Sequence, residues 1–373
     1  MKVLQIVRAL ESLAPPSLAA DGDNVGLLVG DPTADTGKVL LCVDVTEAVL
    51  REAAAAKARM IVAYHPVIFK PIARLTADEA SVAYQAARRG VAVYSLHTAL
   101  DAAIGGTNDI LADLLGIENR RPLVPSRRLR QCKIVVFVPS DDLSRVAEAA
   151  FAAGAGRSGN YFDCAFFCHG IGAFCGAEGT RPAVGQAGRH EVAEEMRLEM
   201  IAPRAKAAAV CSAIRNAHSY EQPAIDVYPL DDHPEGCGLG RIGTLPRAAS
   251  VTTLLSRIKK ATGLKHLLVA RTRGRGGSSA KGTQPVRTVA CCAGSCGSLF
   301  RSALAAGAAF YLTGEMRHHD ALAAAGAGMT VACLGHSHSE RVVLNRVRDG
   351  LTQAAPKLNV ILSKRDKDPF EIV

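Results

Sequence analysis

The sequence predicts an α/β core, discontinuous along the chain, with a ferredoxin-like α+β module inserted in its middle. Three observations carry that expectation. Short apolar runs alternate with helical patterns in the first third, the same alternation returns in the last third, and the stretch between them follows a different element order. At 373 residues the chain is long enough for two domains. Its 49% hydrophobic and 21% charged content excludes a mainly disordered chain. No apolar run approaches the ~18 residues of a membrane-spanning helix, so no span is expected.

The opening MKVLQIVRALESLAPP reads as an amphipathic helix and not as a signal peptide. It has one Lys, an Arg at position 8, and no small-residue cleavage site after a long apolar core. Eleven Cys without a secretory leader are expected to be reduced thiols, which points to the cytoplasm. VLLCVDV (39–45) is the near-continuous apolar run of a strand buried on both faces, and an Ala-rich helix at 47–58 follows with Thr46 as its N-cap. MIVAY (60–64), a helix around 79–89 and the strand VAVYSL (91–96) continue the series. GGTNDILADLLG (105–116) reads as a turn, a helix capped by Thr107 or Asn108, and a Gly stop. Such alternation implies right-handed crossovers and a largely parallel sheet.

The middle differs in kind. IVVFVPSDDLSRVAEAAFAAGAG (134–156) is strand then helix, and NYFDCAFFCHG (160–170) and VAEEMRLEMIAP (192–203) are strands. The helix PRAKAAAVCSAIRNAH (203–218) and the strand PAIDVYPL (223–230) complete the β-α-β-β-α-β order of a ferredoxin-like fold. In the last third, VRTVACCAG (286–294), AAFYLTG (308–314) and MTVACL (329–334) are strands separated by helices at 298–307 and near 317–326. A long helix about 338–353 and a strand near 357–362 close the chain.

Charge supports the same division. Residues 131–230 hold nine Lys/Arg against eleven Asp/Glu, whereas the whole chain is +9. The surplus sits in two acid-free runs: five Arg within 119–130, and Lys265, Arg271, Arg273, Arg275, Lys281 and Arg287 within 265–287. Both are rich in Pro, Gly or Ser and read as exposed linkers or loops. Their charge either draws an anionic partner, a nucleotide or nucleic acid, or is simply solvated. No aromatic interleaves them, so the stacking platform of a single-strand binder is absent. The expected segments are a core part at 1–130, the insert at 131–230 and a second core part at 231–373.

Four motifs follow predicted strands directly, where open α/β sheets place their ligand sites. They are His65-Pro66; His97 with Asp101 four residues on; Thr313-Gly314-Glu315 with His318 and His319; and Gly335-His336 with His338 and Glu340. Imidazoles and carboxylates are the usual ligands of divalent transition metals, and Zn, Fe, Mn, Co or Ni all suit such a set. His336 and Glu340 stand four apart where a helix begins, so both can face one point. If the strand ends converge, His65, His97, Asp101, His336 and Glu340 suffice for two ions that activate a water through a shared carboxylate. The alternative for each isolated His is a packed or hydrogen-bonded residue.

These motifs resemble the Nif-three-like family of dinuclear-metal proteins, whose bacterial members are often labelled GTP cyclohydrolase I type II homologues. The resemblance rests on DNVGLLVG (23–30), YHPVIFKPIARLT (64–76), SLHTALDAAIGGTND (95–109), YLTGEMRHHDAL (311–322), GHSHSERVVL (335–344) and the ending DPFEIV. The middle is similar to the PII/CutA-like insert of longer members through GAGRSGNYFDCAF (154–166) and AHSYEQPAIDVYPL (217–230). The resemblance implies a toroidal homohexamer with a pair of divalent ions held by His65, Asp101, His336 and Glu340, and His97 as a ligand or a group beside them. Many members carry His-His-Pro where this chain has Tyr64-His65-Pro66, so a phenol or a water stands in for one imidazole. Gly22 stands where a Trp often precedes DNVGLLVG.

The functional expectation is a metal-dependent hydrolase of a nucleotide or phosphorylated small molecule, with His97 as base or orienting group. GTP ring opening is the one reaction the family label names. The rival is a metal-binding hexamer without turnover, which handles metal, acts as a scaffold, or regulates through its insert. Glu315, His318 and His319 are read as substrate-contacting or ligand-orienting groups, the alternative being structural. Cys164, Cys168 and Cys175 with His169 lack the paired knuckles of a zinc site and are expected to be buried thiols. The turn Gly294-Ser295-Cys296-Gly297 is either a tight connection or a phosphate receptor through its amides.

Overall fold

The computed structural model describes residues 1–79, 81–126, 131–158, 161–230, 236–272 and 285–371. Arg127, Arg128 and Arg130 of the first basic run, and Arg273, Arg275 and Lys281 of the second, lie outside the described residues, as do the last two residues of DPFEIV. The chain divides into two compact units, Met1–Ser126 with Glu235–Val373, and Arg127–Pro234.

The first part of the core runs α1 (Val3–Leu13), β1 (Gly26–Val29), β2 (Lys38–Cys42), α2 (Glu47–Ala55), β3 (Met60–Ala63), α3 (Ser81–Arg88), β4 (Ala92–Ser95), α4 (His97–Ala102), α5 (Thr107–Leu115) and β5 (Glu118–Pro125). α1 buries Val3, Ile6, Val7 and Leu10, the one-face stripe of an amphipathic helix. Thr46 caps α2 by accepting from the Val49 amide at 3.3 Å. The cap expected for α5 is corrected: Gly106 is its N-cap, and Thr107 and Asn108 are buried within its first turn. Asn108 instead donates to the Asp101 carbonyl and accepts from the Ala293 amide, both at 2.9 Å. It thereby fastens the two parts of the core together.

The insert runs β6 (Gln131–Val138), α6 (Leu143–Ala152), β7 (Ala165–Cys175), β8 (His190–Pro203), α7 (Ala207–Ala217) and β9 (Ile225–Pro229). Its strands lie in the order β7-β8-β6-β9, all antiparallel, which is the ferredoxin-like arrangement. Ile134, Val136 and Leu198 from one sheet face pack on Val146, Val210 and Ile214 of the two helices. Cys168 and Cys175 are exposed rather than buried, because β7 is only partly covered on either face.

The second part of the core runs β10 (Gly238–Ser250), α8 (Val251–Thr262), β11 (Leu268–Ala270), β12 (Pro285–Cys292), α9 (Phe300–Ala305), β13 (Phe310–Thr313), α10 (His318–Gly326), β14 (Thr330–Cys333), α11 (His336–Arg341), α12 (Leu344–Ala354) and β15 (Asn359–Leu362). The one largely parallel sheet of the sequence reading is two sheets with antiparallel edges. The order β1-β4-β3-β2-β15 is parallel apart from β1, and β15 brings the end of the chain back beside β2. The order β11-β14-β13-β12-β10-β5 is parallel only through β12, β13 and β14. The arginine run at 119–130, expected as a loop, forms most of β5. Its charges and Pro122 are tolerated because β5 is the last strand of its sheet, where an outer row of backbone groups goes unpaired. The long helix expected about 338–353 is two helices, α11 and α12, the first of which begins at His336.

All eleven cysteines are free thiols. No helix among the described residues is long and apolar enough to cross a membrane.

Candidate metal centre

The parallel strands of the two core sheets deliver their carboxyl ends to one place. β3 ends two residues before His65, β4 two before His97, β13 two before Glu315 and β14 three before His336. Backbone hydrogen bonds continue each ladder past its last strand residue. The His65 amide reaches the Val43 carbonyl at 3.0 Å, and the His97 amide reaches the Tyr64 carbonyl at 2.9 Å. His97 sits at φ +32°, a strained value for a residue with a Cβ, and its neighbours hold it there.

His65, His336 and Glu340 converge, with one donor atom from each lying within 4.8 Å of the others. Glu340 is 3% exposed and lies between the two imidazoles: Oε2 is 3.2 Å from His65 Nε2 and Oε1 is 3.1 Å from His336 Nε2. Oε2 is nevertheless a buried oxygen without a well-formed hydrogen bond. The far nitrogens are held by acids. His65 Nδ1 meets Asp44 at 2.9 Å, and His336 Nδ1 meets Glu315 at 3.3 Å beside the Ser295 hydroxyl. A carboxylate that takes the Nδ1 proton turns the Nε2 lone pair toward Glu340, as carboxylate–histidine–metal chains do. The two Nε2 atoms and the buried carboxylate between them call for positive charge at this point, which protons on the rings supply and a metal ion bound in their place would supply. The donor set and the orphaned oxygen both fit a divalent metal ion.

The electrostatics show the same demand. Burial alone would lower the His65 imidazole, but Asp44 and Glu340 raise it to about 10. Glu340, against the effect of burial and with help from Glu315, raises His336 to about 9. Burial would raise the Glu340 carboxyl, yet the two imidazoles hold it below its usual range. Gly294, at φ +65°, leaves room for this carboxylate: a Cβ there would stand 2.8 Å from Glu340 Oε1.

Asp101 and Tyr64 lie next to this cluster and are bound to each other. The buried Tyr64 hydroxyl donates to Asp101 and lies 3.3 Å from the Thr107 hydroxyl. Burial pushes the Asp101 carboxyl up to about 6 in spite of that bond. Burial, then Asp101 and Glu340, keep the Tyr64 phenol protonated, well above its ordinary range. The His97 ring centre is 5.4 Å from that of His65, and its Nδ1 meets Asp23 at 2.7 Å. Asp23 also accepts from the Thr98 amide and hydroxyl, so the His97 ring is fixed in orientation.

The remaining predicted residues separate. Glu315 reaches the centre through His336. His318 and His319 are exposed at the start of α10, edge to face with each other at 5.3 Å between ring centres, and join no metal-ligating cluster among the described residues. The phosphate reading of the Gly294 turn is weakened because the Gly294 amide already donates to Ser339 Oγ at 2.9 Å. Arg120 of the first basic run is engaged by Asp109, 3.2 Å away, and by Asp113. Sequence reasoning missed Asp44, Asp23 and Asp366. Asp44 is the one charged residue in the apolar run at 39–45 and Asp23 opens DNVGLLVG, so both had a positional signal. Asp366 had none: it accepts from the Val43 amide at 2.7 Å and from Arg341 at 2.6 Å, tying the chain end to the strand edge beneath the site.

Comparison with known proteins places this arrangement in context. The family model Duf34/NIF3 (NGG1p interacting factor 3) matches residues 1–369. A Halalkalibacterium halodurans protein named GTP cyclohydrolase 1 type 2 homolog is 34% identical over 374 residues, covering 99% of this chain and 98% of its own length. The Bacillus subtilis protein of the same name is 32% identical over 372 residues, covering 98% and 97%. The crystal structure of a Bacillus cereus protein related to NIF3 superposes with a TM-score of 0.75 at 34% identity, covering 100% of this chain and 99% of that one.

Proposed function

The chain belongs to the Duf34/NIF3 family, and from that premise we propose that it is a dinuclear divalent-metal hydrolase acting on a nucleotide or phosphorylated small molecule. The observation that carries the reading is the Glu340 carboxylate, buried between two imidazole nitrogens with one oxygen unsatisfied. One ion would be held by His65, His336 and Glu340. The second would take Asp101, with Tyr64 and His97 beside it. A divalent ion there supplies Lewis acidity and brings the pKa of a water toward neutrality.

The protein's own groups have separate tasks. Asp44 and Glu315 fix the tautomers of His65 and His336, and Asp23 leaves His97 Nε2 as a basic nitrogen turned away from its anchor. His97 then accepts the proton that the attacking water gives up, which is general-base work. The name shared by the relatives makes GTP the first substrate to examine. We extend the reading to a cytoplasmic homohexamer, which light scattering coupled to gel filtration checks.

A second reading, metal binding without turnover, is favoured by one observation: the Tyr64 hydroxyl occupies Asp101, where many family members offer an imidazole. The deciding experiment loads the protein separately with Zn, Fe, Mn, Co and Ni and measures product formation from GTP, ATP and a phosphomonoester. Turnover that disappears in Glu340→Ala supports the hydrolase. Metal-loaded protein with no turnover on any of them supports the second reading.

A further inference from the structure

The insert contains a cavity of about 560 Å³ lined only by its own residues, within the range of small-molecule sites. It lies on the face of the sheet opposite α6 and α7. Ile134, Val136 and Leu198 point to the helices, so their neighbours Phe137, Glu195 and Arg197 point to the other side. The floor is β7, where Gly170 pairs with Glu195 and leaves the surface low. The lack of a side chain at Gly172 is needed, because a Cβ there would stand 2.3 Å from Glu195 Oε2. Phe137 and Phe174 supply aromatic walls.

The roof is a built loop. The Gly188 amide closes onto the Gly176 carbonyl at 2.7 Å, and Thr180 turns back on Ala177. The loop is strapped across the cavity by the Arg181 amide, which donates to Glu221 at 3.0 Å.

The polar groups inside are few and uneven in charge. The Arg197 guanidinium is neutralised by Glu199 at 2.7 Å, and Arg181 is exposed at the rim. Glu195 is 9% exposed, and no cationic side chain among the described residues is paired with it. The Tyr220 hydroxyl is buried and lacks a well-formed hydrogen bond. Burial, and next the adjacent Glu195 carboxylate, push that phenol up to about 12. A nearly buried carboxylate that has no cation among the described residues, with only the Tyr220 hydroxyl beside it, is an acceptor set that a cationic N–H donor would complete.

We propose that this cavity binds a flat, largely apolar molecule carrying an amine or amidine group, whose N–H donors meet Glu195 and Tyr220. The aromatic walls and glycine floor take the flat body, and the carboxylate selects the cationic end. None of the residues lining it belongs to the metal centre.

Benzamidine is the simplest probe with this chemistry, and its binding to the full-length protein is measured by calorimetry and saturation-transfer NMR. Saturable binding is expected. Glu195→Gln, of the same shape, is expected to weaken it at least about tenfold through loss of a charge-assisted hydrogen bond. Gly172→Ala, which forces the carboxylate aside, is expected to weaken it too. Benzoate, with the same ring and the opposite charge, is expected not to saturate. The proposal is overturned if benzamidine does not bind, if benzoate binds as well, or if Glu195→Gln and Gly172→Ala both bind like the native protein. Far-UV circular dichroism checks folding, and should Glu195→Gln fail to fold, Gly172→Ala and Tyr220→Phe decide.

Discussion

Replacing Arg241 by Met tests how the second part of the core is anchored to the helices that carry the site. The Arg241 side chain comes from β10 and is 1% exposed. It makes paired 2.9 Å bonds to Asp109 of α5, and it donates to the carbonyls of Gly238 at 2.7 Å, Gly240 at 2.8 Å and Ala103 at 2.9 Å. Met keeps most of the apolar stem and removes the charge, leaving Asp109, 5% exposed, without its main partner. Breaking a buried pair from one side costs about 3–5 kcal/mol. Asp109 keeps the Gly105 amide at 2.7 Å and Arg120 at 3.2 Å, which places the expected loss near the lower end, about 3 kcal/mol. For a unit of this size that is a fall of roughly 6–12 °C in Tm. The chain has no Trp, so unfolding is followed by far-UV circular dichroism in urea and on heating. Arg241→Met with Asp109→Leu should recover a large part of the loss, because no uncompensated charge then remains. A single variant within about 1 kcal/mol of the native protein, or a double variant as costly as the two singles added, would refute the anchoring role.

Asp44→Asn removes the acid on His65 Nδ1 without touching a proposed ligand, and metal affinity should fall about 10–100-fold by competition with a chelating dye. Gly294→Ala places a methyl group against Glu340 at a left-handed backbone position. It should lower stability by about 1–2 kcal/mol and release metal at lower chelator concentrations than the native protein does. Tyr64→His frees Asp101 and adds an imidazole beside it. It should raise the metal retained per chain after dialysis, and an unchanged content would show that Tyr64 does not limit the second position.

The parts of the fold legible in the sequence are those whose apolar pattern is strong. β2, β3, β4, β13 and β14 are buried along nearly their whole length, and each was visible as an apolar run. The insert was legible because its two helices and the strands β6 and β8 carry apolar patterns that meet in one core. β5 was not, since its Arg and Pro residues read as loop signals. The pairing of β5 with β10 at the sheet edge outweighs those signals, and it is a long-range fact that no local window contains. His65, His336 and Glu340 were legible because strand ends and helical spacing give them positions. Of the acids around them, Glu315 was legible because it follows a strand end, whereas Asp44 meets His65 only once β2 and β3 are paired, and Asp366 reaches Val43 and Arg341 only once the chain end has returned to them.

The central claim is that the Glu340 cluster exists to hold metal, and the most direct test is elemental analysis of full-length, tag-free protein purified without chelator. The measurement is made beside Glu340→Ala and repeated after reconstitution with each candidate metal. About two ions per native chain, lost from the variant while it stays folded, is the predicted result. No bound metal in the native protein, even after reconstitution, would contradict it.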